Sequence, residues 1–248
     1  FFCNYVSTYE YVVDNDLERS DAAKKDWECL KNTGKLSFNR TDNFVKPLVT
    51  TTWNQSDLYN SMCPEDPAGY GGHVKSGCVA NAMAQIMNYW EWPQVGEASY
   101  SFQSDYGVLD VDFGNTNYCY ELMPEFLDYT SIQPEIDAVA LLQYHAGVSV
   151  DMMYGPNASG AYSYHVPIAM LYCFRYECDL YTTYLDNLDG GIVEWENLLR
   201  ESFDRGEPLY YAAFGSDGAH AFVCSGYDDN NLFHFNWGWQ GFDNGYYA

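Results

Sequence analysis

The sequence predicts an α+β fold of two lobes, and three observations carry that prediction. Helical apolar periodicity dominates up to about residue 203, three strand-like runs follow from Leu209 to Trp237, and the two kinds of pattern do not alternate. A chain of 248 residues that is 47% hydrophobic and 18% aromatic has enough apolar surface to build a sizeable core. Segregated helices and strands favour an antiparallel sheet packed beside helices over a doubly wound parallel sheet.

Taken in order, residues 1–42 alternate charged and apolar residues as two helices would, the second opened by Ser20 and Asp21 and turning Trp27 and Leu30 inward. Asn32-Thr33-Gly34 stops it, and residues 34–44 lack apolar periodicity, which marks an exposed connector and a domain boundary. Residues 45–57 read as extended and β-branched, ending in the polar group Asn54, Gln55 and Ser56; residues 60–77 form a long Pro-, Gly- and Asp-rich loop. A helix then begins at Cys78, with Ser76 as a candidate cap and Val79, Met83, Ile86 and Trp90 on its apolar face.

Trp92-Pro93 ends that helix, and residues 99–113 alternate as a hairpin around Asp105-Tyr106-Gly107. Helices are expected at 121–129, 133–146, 165–174 and 193–203, a short strand at 148–153, and a small-residue loop at 154–161. His145 falls on the apolar face of its helix and reads as a hydrogen-bonded core residue. The final strands are expected at 209–214, 220–226 and 232–237.

Charge and cysteine content exclude several functions. With 35 acidic and 11 basic side chains, a formal net charge of −24 opposes nucleic acids and anionic membranes, which demand many Lys and Arg contacts. No apolar run reaches the roughly 20 residues that span a bilayer. The eight cysteines lack Cys-x-x-Cys spacing, so neither a metal nor a cofactor is expected.

A cysteine at a buried helix N-terminus meets free N–H donors and the positive end of the helix dipole, which favour the thiolate; most cysteines beside apolar helices are nonetheless core residues. A nucleophilic Cys78 needs a base, a group to orient it and oxyanion donors. His220, after a glycine-containing turn, is the candidate base, and Asn236 the candidate partner of its second ring nitrogen. Trp237 and Trp239 can shield that bond from water, and Gln55 can join the Cys78 N–H as an oxyanion donor. Five histidines and many amides permit other combinations.

Five ordered motifs narrow the choice. Trp53-Asn54-Gln55, Gly77-Cys78-Val79-Ala80 running on to Met87, Val150 to Pro156, His220-Ala221-Phe222-Val223 and Asn236-Trp237-Gly238-Trp239 resemble the streptopain/interpain family of papain-like cysteine peptidases. The resemblance spans about residue 45 to the last. It implies a papain-like fold and peptide-bond hydrolysis with Cys78 as nucleophile, His220 as general base and acid, Gln55 as oxyanion donor, and Asn236 and Trp237 holding and shielding the histidine. It further implies that Ser159, Gly160, Ala161 and Ser163 wall the pocket for the side chain before the scissile residue, where the family prefers hydrophobic groups. Ala219 and Trp239 border the cleft. Residues 1–44 resemble the tail of an inhibitory pro-region with its processing linker, and 45–248 the catalytic domain, made as a zymogen and secreted, periplasmic or on the cell surface of a bacterium. The expected partners are protein or peptide substrates and the chain's own pro-region. Ala219 and Gln240 stand where the family's namesake has glycine, and the chain, ending at Ala248, looks truncated relative to the family. A catalytically silent binding or adhesion module, and a transpeptidase or amidase using the same nucleophile, are the rival readings.

Overall fold

A helix buried on every side organises the structure. In a computed structural model, whose described residues are 44–176, 183–215 and 218–248, helix α1 (Cys78–Trp90) has every residue from Val79 to Met87 buried, including the polar Asn81 and Gln85. One side packs on α2 (Gln133–Ser149), and the other on a four-stranded antiparallel sheet. That sheet runs β3 (Leu209–Gly215), β4 (Gly218–Tyr227), β5 (Phe233–Asn236) and β6 (Gly245–Tyr247) in sequence order.

Strand alternation explains the layering. Along β4, Val223 packs with Ala82 and Ile86 of α1, while its neighbour Cys224 turns to the opposite face among Leu199 and Phe203 of α4 (Gly191–Asp204). The sheet therefore lies between α1 and α4. The expected hairpin forms as β1 (Ser99–Ser104) and β2 (Gly107–Asp112), with Ser104 paired to Gly107, and α3 (His165–Tyr172) follows α2. Trp53, Met83, Phe113, Tyr118, Leu142 and Phe174 belong to the main core on the helical side. Residues 44–248 form one compact α+β unit. No helix among the described residues is long and apolar enough to cross a membrane.

Several expectations need correction. Residues 121–129 hold only a single 3₁₀ turn at Tyr120–Leu122, because Pro124 has no N–H and biases Met123 to extended backbone (φ −101°, ψ 94°). The strand expected at 148–153 is absent: α2 continues to Ser149, and Met153 makes one isolated bridge to Gly160. A fourth strand, β6, pairs with β5 where three strands were expected. Ser76 does not cap α1. Gly77 occupies the cap position with φ 92°, and the Ser76 hydroxyl instead donates to Gln143 Oε1 at 2.5 Å. The two helices and the connector expected before residue 44 lie outside the described residues.

His145 is the core histidine expected from its position, with Nδ1 3.0 Å from the Tyr118 hydroxyl and its ring packed edge-on to Phe113. Burial lowers its pKa to about 4. Between that value and about 6.5 the unfolded chain binds a proton that the folded one refuses, so stability is complete above about pH 6.5 and falls as pH drops toward 4. The full effect is about 3 kcal/mol. Urea unfolding at pH 7 and pH 4 should show a smaller acid loss in His145→Gln than in the parent; equal losses would refute this assignment.

Candidate active site

The site assembles at the N-terminus of α1, where three chain segments meet. The first is the segment before α1: Ser76 N–H donates to Gln55 O at 2.9 Å, tying Gln55 to the turn that delivers Cys78. The second is the start of β4, which carries His220. The third is the chain after β5, from Asn236 to Trp239.

Gly77 is required by its surroundings. Besides its positive φ, a Cβ there would stand 2.7 Å from the Met152 sulfur and 3.2 Å from Ser159 O. Met152 is thus packed directly beneath the turn that presents Cys78. The half-buried Cys78 sulfur receives the N–H groups of Ala221, Val79 and Cys78 itself, which favour thiolate. Burial acts the other way and is larger, so the net push on the thiol is upward. The helix terminus thus favours the thiolate, as expected, but does not outweigh burial, in keeping with the need for a base.

Burial also lowers the His220 pKa, and the bond to Trp237 offsets part of that. His220 Nε2 lies 2.9 Å from the Trp237 carbonyl oxygen. A carbonyl only accepts, so Nε2 carries the proton and Nδ1 is left with its lone pair. The ring stands 4.8 Å from Trp239 and 6.1 Å from Trp237, centroid to centroid.

Asn236 is not where spacing suggested. Paired with Val223, its side chain goes inward toward α1, where Nδ2 donates to Thr51 O at 2.6 Å and Gln85 Oε1 at 3.0 Å. Its Oδ1 accepts from Gly238 N–H at 3.1 Å. The imidazole is held by the main chain of Trp237, one residue on.

Asn236 belongs to a buried amide network that sequence reasoning missed. Gln85 Oε1 also accepts from Thr51 Oγ1 at 2.9 Å, Gln85 Nε2 donates to Asn81 Oδ1 at 2.7 Å, and Asn81 Nδ2 donates to Asn54 O at 2.8 Å. Gln143 Nε2 reaches the same Asn54 carbonyl at 3.1 Å. Gln55 Nε2 donates to Gly238 O at 3.3 Å, and at Gly238, with φ 70°, a Cβ would crowd Asn81 Oδ1 at 3.0 Å and press on the network. Two glutamines and two asparagines at 0–1% exposure thereby fix the chain on both sides of Cys78. Asn81 and Gln85, the two polar residues in the otherwise apolar run from Cys78 to Met87, were the available signal.

The residues expected to wall the substrate pocket differ in their surroundings. Gly160 has open space where a Cβ would be, and Ala161 is half-buried against the core. The Ser159 hydroxyl is consumed internally, donating to Lys75 O at 2.6 Å and accepting from Gly155 N–H at 3.0 Å, so it braces the loop instead of facing outward. Ser163 Oγ lies 2.8 Å from the hydroxyl of Tyr210, a β3 residue not expected at the site. Burial raises the Tyr210 pKa, the bond to Ser163 offsets part of that, and the charge of Cys78 adds a smaller upward push. Ala219 is exposed and Trp239 is 42% exposed.

Comparison with known proteins places the fold and the family. The chain is 34% identical to the active wild-type interpain A cysteine protease of Prevotella intermedia, with a TM-score of 0.74 over 83% of this chain and 86% of that one. A prointerpain A fragment aligns with TM-score 0.74 and 30% identity over 94% of this chain and 78% of that one. These likenesses establish the papain-like fold. The thiol protease/hemagglutinin PrtT of Porphyromonas gingivalis is 33% identical over 198 residues, 78% of this chain, and streptopain of Streptococcus pyogenes is 29% identical over 248 residues, 89% of this chain. The matches span only 22% and 61% of those two relatives. Since the Peptidase C10 profile matches residues 53–247, and so takes in every segment that builds this site, the chain belongs to the peptidase C10 family.

Proposed function

We propose that this chain is a cysteine endopeptidase working through an acyl-enzyme formed on Cys78. The observation that carries the reading is the bond from His220 Nε2 to the Trp237 carbonyl, which leaves Nδ1 as the only ring atom able to accept a proton. His220 Nδ1 takes the Cys78 proton as sulfur bonds to the substrate carbonyl carbon. The resulting oxyanion is received by the Cys78 N–H and the Gln55 amide, and collapse of the adduct expels the amine, which takes the proton back from His220. Water, deprotonated by the same nitrogen, then attacks the thioester and releases the acid and Cys78.

Selective alkylation tests this reading. Burial pushes the Cys63 thiol up to about 12 and Cys173 to about 11, and raises Cys224 further, so iodoacetamide at pH 7 should modify Cys78 before these three. Peptidase activity should fall in step. Because burial favours the neutral thiol, thiolate formation depends on His220, and His220→Ala should slow labelling of Cys78 at least ~10-fold. Unchanged labelling in that variant, read by peptide mapping, would defeat the proposed pairing.

We infer that residues 1–44 are the tail of an inhibitory pro-region, a reading supported by the larger share of this chain that aligns with the prointerpain fragment than with the active enzyme. Incubated protein should acquire a new N-terminus between residues 34 and 46. An active protein that keeps its original N-terminus would overturn the inference.

A further inference from the structure

Next to the candidate site lies a second recess, of about 500 Å³, that the proposed reaction does not use. Residues from β1, the chain after α2 and the N-terminus of α3 line it. Its aromatic walls are unusually open to solvent: Tyr162 is 58% and Tyr164 53% exposed, and their rings stack at 5.3 Å with 19° between planes. Tyr100 adds a third ring, 39% exposed. Exposed aromatic surface gathered around one recess marks a contact site rather than a solvated face.

The recess is also acidic. Asp151 accepts the Tyr100 hydroxyl at 2.7 Å through Oδ1, while Oδ2 stands 3.6 Å from His165 Nδ1. Its backbone is held at φ 54°, a left-handed conformation that costs a non-glycine residue free energy and fixes the carboxylate against Tyr100. Asp105, at the β1–β2 turn, makes no hydrogen bond or ion pair among the described residues. No lysine or arginine lines the recess. Tyrosine faces beside carboxylates are complementary to a cation. A guanidinium suits them better than an ammonium, because it stacks flat on a ring while donating to a carboxylate.

Position identifies the source of that cation. The Met153–Gly160 bridge, with N–H to O distances of 2.9 and 3.2 Å, is the strap between the recess and the expected pocket wall. Met152 lines the recess and packs beneath Gly77 beside Cys78. Tyr162 and Tyr164 follow Gly160 and Ala161 in the same segment, so the expected pocket wall and the recess adjoin along the chain. We propose that the recess binds an arginine side chain of the polypeptide substrate, upstream of the residue held against the 159–163 wall. The site thus combines an upstream basic preference with a pocket for the side chain before the scissile residue. This rests on the peptidase reading above.

The test uses quenched fluorescent peptides that share one hydrophobic pocket residue and carry arginine or citrulline at one of the three positions before it. Citrulline keeps the shape and removes the charge. At one of these positions arginine should raise kcat/KM about fivefold over citrulline, mainly through KM, and the gain should shrink with salt. In Asp105→Asn combined with Tyr164→Leu the ratio should fall to about one, with cleavage of the citrulline peptide and the melting temperature retained. That variant separates the recess from the general attraction of a chain of net charge −24. Equal cleavage of both peptides at all three positions overturns the inference and leaves the peptidase reading standing. If neither is cleaved, the peptidase reading fails. The recess is then judged by calorimetric binding of the same peptides to Cys78→Ala protein, where equal affinities for arginine and citrulline overturn it.

Discussion

Replacing Cys78 by alanine is expected to lower kcat/KM for a peptide substrate by at least ~10⁴-fold while the protein stays folded. In the proposed reaction the thiol supplies the bond-forming atom, and the nearby Ser159 and Ser163 hydroxyls are engaged with Gly155, Lys75 and Tyr210. Cys78 is half-buried and its Cβ remains in alanine, so the lost packing is that of one sulfur atom. Thermal unfolding should shift by only a few degrees. Hydrolysis retained by the purified variant would remove Cys78 from the mechanism.

Asn236→Ala is expected to act differently, by loosening the fold and the site together. The substitution strips a donor from Thr51 O and from Gln85 Oε1, and an acceptor from Gly238 N–H, all in a region closed to water. Leaving buried partners unsatisfied costs about 1–3 kcal/mol each where nothing relaxes, and about 3 kcal/mol in total is expected after relaxation. For a chain of this size that is a fall of roughly 6–12 °C in melting temperature. Activity should fall as well, since Gly238 follows the carbonyl that holds His220. A variant that loses activity with its denaturation midpoint unchanged would mean that Asn236 acts on the imidazole directly, and the network account would be wrong.

That contrast measures how far the sequence can be read. The α1 helix, the hairpin expected at 99–113 and the core position of His145 were legible from apolar periodicity, and β4 from its run of apolar residues after a turn. Cys78, His220 and Gln55 stood out as residue types in a recognisable order, and their chain segments adjoin at the α1 N-terminus. Asn236 was misread because its role depends on which face of β5 it occupies, and pairing opposite Val223 sends it to α1. The helix expected at 121–129 failed because apolar composition outweighed Pro124 in the reading but not in the chain. Tyr210 could not have been found from local pattern, since its hydroxyl meets Ser163 across 47 residues.

The anchor of the imidazole has a genetic consequence. Trp237 holds His220 through a main-chain oxygen, an atom that all twenty residues possess. A codon change at position 237 alters the shielding ring but does not delete the anchor. The orientation of the imidazole is thus buffered against point mutation at its own contact. It is exposed instead to changes at Asn236 and Gly238, which determine where that oxygen lies. A substitution scan would register the flanking positions as the sensitive ones, and a search for three converging side chains would count one too few.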